Sequence, residues 1–263
     1  MSTLAPPLRS EQRRAVSGRR LTTVLGWTSL ASLALLAWLG LDVAPPDAVQ
    51  GDAARLMYVH VPAAWLAYLA FTVSAVCSLL YLWPRTRSLA YDRLAGSSAE
   101  VGVVFCGLCL LLGSLWGKPI WGTWWVWDAR LVTTAILFFL YLGYLALRRI
   151  PDDPHVRARR CAVAALVAAV DIPIVHFSVT WWRTLHQDGT VFNKDLDVQI
   201  SGTMAWTLLW GVVAFTILYA YLVMKRNDLA ELEEAAEGRA LERALAERRA
   251  EAVPLDEPTG SGR

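Results

Sequence analysis

Histidine and cysteine are both scarce in this chain of 263 residues, four of each, and their placement excludes several chemistries. The pair Cys106-Gly-Leu-Cys109 is followed by Leu110 rather than by histidine, so it is not a covalent haem-attachment motif. It also lies inside an apolar run, where a thiolate is poorly solvated. With Cys77 and Cys161, which sit in or at apolar runs too, the pair reads as small buried hydrophobes. His155 stands in a different connection from the other three histidines, and no thiolate accompanies those three, which leaves a poor zinc set. No glycine-rich loop that could cradle phosphates is present, so any use of ATP would belong to another subunit. No paired nucleophile and base marks a hydrolase, and no nucleic-acid partner is expected.

An even spread of charge is missing as well. The chain is 56% hydrophobic yet 18% charged, and the charges crowd between apolar stretches of roughly bilayer-spanning length. Six such stretches are read: Leu21–Leu41, Pro62–Trp83, Val101–Trp116, Leu131–Leu147, Cys161–Val179 and Ala205–Met224. The expected fold is therefore all-α, a polytopic membrane protein built as a bundle of about six transmembrane helices. Its membrane domain covers 21–225, flanked by a basic arm (1–20), a charged helix (226–252) and a disordered tail (253–263).

Thirteen basic residues fall in the arm and the connections after the second and fourth spans, against five in the intervening connections. The positive-inside bias then puts both termini in the cytoplasm and the connections bearing His60, His186 and the tryptophans outside. The N-terminal run of about 20 residues lacks a small-x-small exit, so it is kept as a retained span.

The first span ends in Asp42-Val-Ala-Pro45-Pro46, where paired prolines stop the helix. Pro62 suits the first turn of the second span, which sets His60 beside its outward N-terminus in a His-bearing loop (42–61). A helix start favours a neutral imidazole there, able to bind a metal; an interfacial polar residue is the plainer reading. In the fifth span, Asp171-Ile-Pro173-Ile-Val-His176 carries the only clear membrane-embedded carboxylate. Such a group is a functional-site hypothesis by default, although Asp171 pairing with a neighbouring helix and His176 sitting at headgroup level are the plainer readings. Pro173 is expected to kink the helix and free a carbonyl. A second His-bearing loop (180–204) follows, with Trp181, Trp182, Arg183 and His186. The part from Asp188 to Gly202 is expected to fold over the site. In the charged helix, Leu229, Leu232, Leu241 and Leu245 could dock a partner.

The densest feature is the second outward connection (117–130), Trp121-Gly-Thr-Trp124-Trp125-Val-Trp127-Asp128-Ala-Arg130, with four tryptophans in seven residues. If that loop is helical, Trp125 and Trp127 point to different sides. Three features thus converge on one membrane face: His60, the tryptophan loop and the segment bearing His186. Two histidines could supply both axial positions of a haem iron, and clustered indoles could wall a porphyrin. Arg55, Lys118, Arg130 and Arg183 are available cations for its propionates. Asp128 is expected to bond the loop backbone or to orient Arg130.

Trp121 to Leu131 resembles the tryptophan-rich WWD signature of haem-handling membrane proteins, and the chain more narrowly resembles the CcmC family. The stretches Gly51-Asp-x-x-Arg55-x-Met57-Tyr58-x-His60-Val-Pro62 and Phe177-Ser-Val-x-Trp-Trp-x-Thr-Leu-His186-Gln187 are also similar, and the likeness covers about 20–225. Longer WWD relatives usually continue with Pro after the Asp; here Ala129 follows. The resemblance implies haem b (iron protoporphyrin IX) held at the outer face of the bacterial cytoplasmic membrane, with His60 and His186 as axial ligands. The implied partners are the lipid bilayer, a CcmE-type haem chaperone, ABC transporter subunits of CcmA and CcmB type, and a CcmD-type small membrane protein. A transporter moving solute, haem included, across the bilayer is the rival reading, though Asp171 lacks an obvious relay. Catalysis of covalent haem transfer is a third, and otherwise no enzymatic activity is expected.

Overall fold

The computed structural model describes residues 9–186, 200 and 202–252. Most of the expected cover loop, like the tail 253–263, therefore lies outside the described residues. Helix α1 (Arg9–Trp38) continues into a π-helical turn, Leu39–Val43, and a 3-10 turn, Asp52–Leu56, leads into α2 (Met57–Leu82). Then follow α3 (Leu89–Trp121), α4 (Ala129–Arg148), α5 (Pro154–Ala169), α6 (Asp171–Trp181) and α7 (Gly202–Ala252). Six segments are long and apolar enough to cross a membrane, α5 and α6 together making the fifth, and no strand occurs among the described residues. This is the multi-pass all-α bundle that the run lengths predict.

Helices α2 and α3 form the central pair. Gly102 lets α3 approach α2 closely, since a Cβ there would stand 2.6 Å from Phe71. On one side a core including Leu36, Tyr58, Leu66, Phe105 and Phe215 joins the pair to α1 and α7. On the other, Phe71, Tyr141, Cys161 and Val175 join it to α4, α5 and α6. The Phe71 and Tyr141 rings stack at 3.8 Å, and the Tyr141 hydroxyl donates to the Phe71 carbonyl at 3.2 Å. Small residues and interhelical hydrogen bonds are how helices associate where lipid removes the hydrophobic drive.

Three local features bear on the sequence reading and have physical causes. Helix α2 starts at Met57, so His60 lies in its first turn rather than in a loop, and Pro62 sits deeper than expected. The Tyr58 carbonyl, which Pro62 cannot satisfy, faces Gly211 of α7, where a Cβ would lie 3.1 Å from it. Pro173 interrupts the fifth span as expected, at the junction of α5 and α6. The missing N–H orphans the Ala169 carbonyl four residues back, and the helix breaks at Val170 between α5 and α6. The sixth span and the charged helix are one helix of 51 residues, roughly 76 Å long by its rise.

The far half of α7 is fastened by charge. Arg226 pairs with Glu100 and Glu233, and Glu234 meets Arg93 at 2.9 Å and Arg157 at 3.7 Å. Beneath it lies Asp92, a carboxylate 3% exposed, which accepts from Arg148 at 2.6 and 3.0 Å. Asp171 is thus not the only buried carboxylate; it is buried in α6, and its Oδ2 makes no hydrogen bond.

Candidate functional site

One end of the bundle gathers the N-terminus of α2, the C-termini of α3 and α6, and the loop Gly122–Asp128. His60 from α2 and His186 from the segment after α6, far apart in sequence, place their ring centres 6.5 Å apart with planes tilted by 33°. The His60 Nδ1 lies 3.1 Å from the Cys109 carbonyl. A carbonyl only accepts, so Nδ1 carries the proton and Nε2 keeps its lone pair, the arrangement that orients a metal-binding imidazole. The ring packs into a gap in α3. A Cβ on Gly113 would stand 3.0 Å from His60 Cε1, and one turn on, a Cβ on Gly117 would stand 2.9 Å from the Trp121 ring. The Trp121 ring in turn meets His186 edge-on at 6.2 Å.

Trp121 is the last residue of α3 rather than part of the loop. Gly122 ends the helix in the left-handed region, φ 76°, which a side chain would strain. The loop beyond is not helical. Trp125 and Trp127 therefore do not diverge; their rings meet edge to face at 5.8 Å. Trp124 and Trp127 are exposed, the latter at 86%, an extreme value for an indole. Trp125 turns its Nε1 inward, where it has no hydrogen-bond partner. A cleft of about 360 Å³ runs between Trp127 and Asp128 on one wall and Arg183, Thr184 and Leu185 on the other.

Asp128 caps α4, its Oδ1 accepting from the Leu131 N–H at 2.9 Å, so of the two expected roles it takes the backbone one. Asp128→Ala should lower stability by about 1 kcal/mol while Asp128→Asn does not; thermal unfolding of the purified proteins compares them. The cations are placed unequally. Arg130 reaches across to α6, donating to the His176 carbonyl at 2.9 Å and to the Ser178 hydroxyl at 3.5 Å. Arg55 donates to the Gly40 and Ala44 carbonyls and pairs with Asp52 at 2.8 Å, closing the end of the first span. Lys118 lies 5.8 Å over the Trp124 ring and donates to the Gly122 carbonyl. Arg183 opens directly onto the cleft.

Comparison with known proteins decides the family. The family model described as "Heme exporter protein C" (CcmC) matches residues 5–241. The chain belongs to the CcmC family. It is 42% identical over 212 residues to the heme exporter protein C of Bradyrhizobium diazoefficiens, covering 78% of this chain and 79% of that one. The Escherichia coli K12 protein of the same name is 39% identical over 204 residues, 76% of this chain and 80% of its own. That of Haemophilus influenzae is 36% identical over 233 residues, 89% and 93% of the two chains.

Within this family member, sequence reasoning missed Trp116, whose ring meets His60 edge-on at 5.7 Å and whose Nε1 donates to the Gln50 side chain at 2.9 Å. The readable signal was Gly113-x-x-x-Gly117, two small residues on one face of an apolar helix, which marks a close approach. His176 is exposed and outside the cluster, contributing only its carbonyl. All four cysteines are buried and free.

Proposed function

We propose that this protein holds haem b between His60 and His186 on the outward side of the bacterial cytoplasmic membrane and presents it to a CcmE-type chaperone. The observation that carries this reading is the spacing of the two imidazoles. One nitrogen from each ring, at metal–imidazole bond lengths of roughly 2.0–2.1 Å, puts ring centres about 6.3 Å apart around a shared metal. The 6.5 Å between His60 and His186 fits that requirement. Among the described residues no third His, Cys, Asp or Glu joins them, so a metal here needs its remaining ligands from elsewhere, as a porphyrin provides. Bound haem supplies an iron with two axial positions, an apolar plane and two carboxylates.

The chain's own residues have separable roles in this reading. His60 offers Nε2 because Cys109 fixes its tautomer; Trp121 and Trp116 bear edge-on on the two imidazoles and hold their orientation. Trp124, Trp125 and Trp127 furnish the apolar wall, and Arg183, with Arg130, Lys118 and Arg55 behind it, the positive field for propionates. The outward orientation is supported by the arginine distribution, which favours a cytoplasmic location for both termini. The name shared by the relatives supports a haem-related role in cytochrome c maturation beside CcmA-, CcmB- and CcmD-type partners. Protein purified from haem-replete cells should show the absorption of a six-coordinate, bis-imidazole haem. A colourless protein that also fails to take up added haem would overturn the proposal.

A further inference from the structure

A second cavity, of about 820 Å³, lies at the other end of the bundle. Residues 60 to 81 of α2 rise about 31 Å, a membrane thickness, so Tyr81 stands at the opposite membrane boundary from His60. The cavity opens between the end of α2, the short connection to α3 and the first turns of α5. Its lining combines Arg87, His155, Arg159 and Arg160 with Tyr81 and two valines, Val156 and Val163. Three guanidiniums converging on one cavity repel each other unless an anion joins them.

The ion pairs at this end leave that demand unmet. Arg160 is paired with Asp152 at 3.1 Å and donates to the Leu147 and Ile150 carbonyls. His155 is within 3.3 Å of the Tyr81 hydroxyl, and Asp153 is engaged as the cap of α5. Arg87 and Arg159 are exposed and make no hydrogen bond or ion pair among the described residues. Two positive charges therefore face the cavity with no ion-pair partner among the described residues. Below them the surface changes character. Val156, Val163 and Val167 are exposed at positions i, i+7 and i+11 of α5, one face of the helix, running from the cavity along the membrane span. A free phosphate would use the arginines and ignore that stripe; a lipid would use both.

We propose that this cavity is a binding site for an anionic phospholipid, its phosphate held by Arg87 and Arg159 and an acyl chain laid along the valine face of α5. Basic pockets between membrane helices at a bilayer boundary recognise lipid headgroups through the same combination of charge and apolar track. The site is about a membrane thickness from the histidine pair and does not depend on what that pair holds.

The test uses the full-length protein in a mild detergent, with phosphatidylglycerol added and bound lipid counted by native mass spectrometry. Arg87→Gln/Arg159→Gln should reduce phosphatidylglycerol occupancy roughly 30-fold, from the loss of two charges at an anionic headgroup. Phosphatidylcholine should bind weakly and equally to both proteins, and excess inorganic phosphate should leave the bound phosphatidylglycerol in place. Both substituted residues are exposed, so the variant should unfold at the wild-type temperature. The proposal is overturned if the double variant keeps its phosphatidylglycerol, or if phosphatidylcholine binds the wild type as well. Displacement of the lipid by inorganic phosphate would equally overturn it, by showing a phosphate pocket rather than a lipid site.

Discussion

His60→Ala should lower haem occupancy of the purified protein by more than about 100-fold. Losing even a hydrogen-bond partner of a metal ligand costs 10–100-fold, and this change removes the proposed ligand itself. The cavity left beside Gly113 would also free the Trp116 ring that now packs against the imidazole. His186→Ala should act in the same direction, because two axial ligands are needed to keep iron six-coordinate. His176→Ala is the control: its side chain lies outside the cluster, and its carbonyl, which holds Arg130, survives the change. Absorption spectra of the three variants, matched for protein and prepared from haem-replete cells, compare them directly. An unaltered spectrum in both His60→Ala and His186→Ala would remove axial ligation from the reading.

The largest stability effect is expected at Asp92, far from that site. Asp92→Ala should destabilise the protein by about 3–5 kcal/mol, because it strands the Arg148 guanidinium in a mostly buried position. The charge has no alternative acceptor of equal quality; Tyr144 offers one hydroxyl oxygen at 3.2 Å. Gly96 sets the geometry, since a Cβ there would lie 2.6 Å from Arg148 Nε. Replacing both, as in Asp92→Leu/Arg148→Met, should recover part of the loss, because a buried pair exchanged for apolar groups is often neutral, while Arg157, which also meets Asp92 at 3.5 Å, keeps Glu234 at 3.7 Å. Denaturant unfolding in micelles reads both changes. A loss below about 1 kcal/mol in the single variant would show that water reaches Arg148.

The two sites were legible in the sequence to different degrees. The six spans announced themselves because a bilayer dictates run length, and Trp121 to Asp128 stood out by local density alone. His60 and His186 could be paired because both flank outward connections, which is topology read from charge. The ion cluster around Asp92 could not be read, since it joins residues separated by 56 or more positions and lies beyond the apolar run that marked the third span. Trp116 was hidden for the opposite reason: an aromatic at a span boundary is ordinary, and only the packing of α2 on α3 brings it to His60. The interruption at Val170 was signalled by Pro173, whose missing N–H leaves the carbonyl four residues back without its donor.

The glycine gap in α3 gives the two histidines unequal support. His60 stands on helix α2 with the α3 main chain at Gly113 directly behind its ring. His186 stands on irregular chain after the last turn of α6, steadied by the Thr184 hydroxyl and the edge of Trp121. In the proposed binding mode the pair would act like a vice with one fixed jaw, His60, and one sliding jaw, His186.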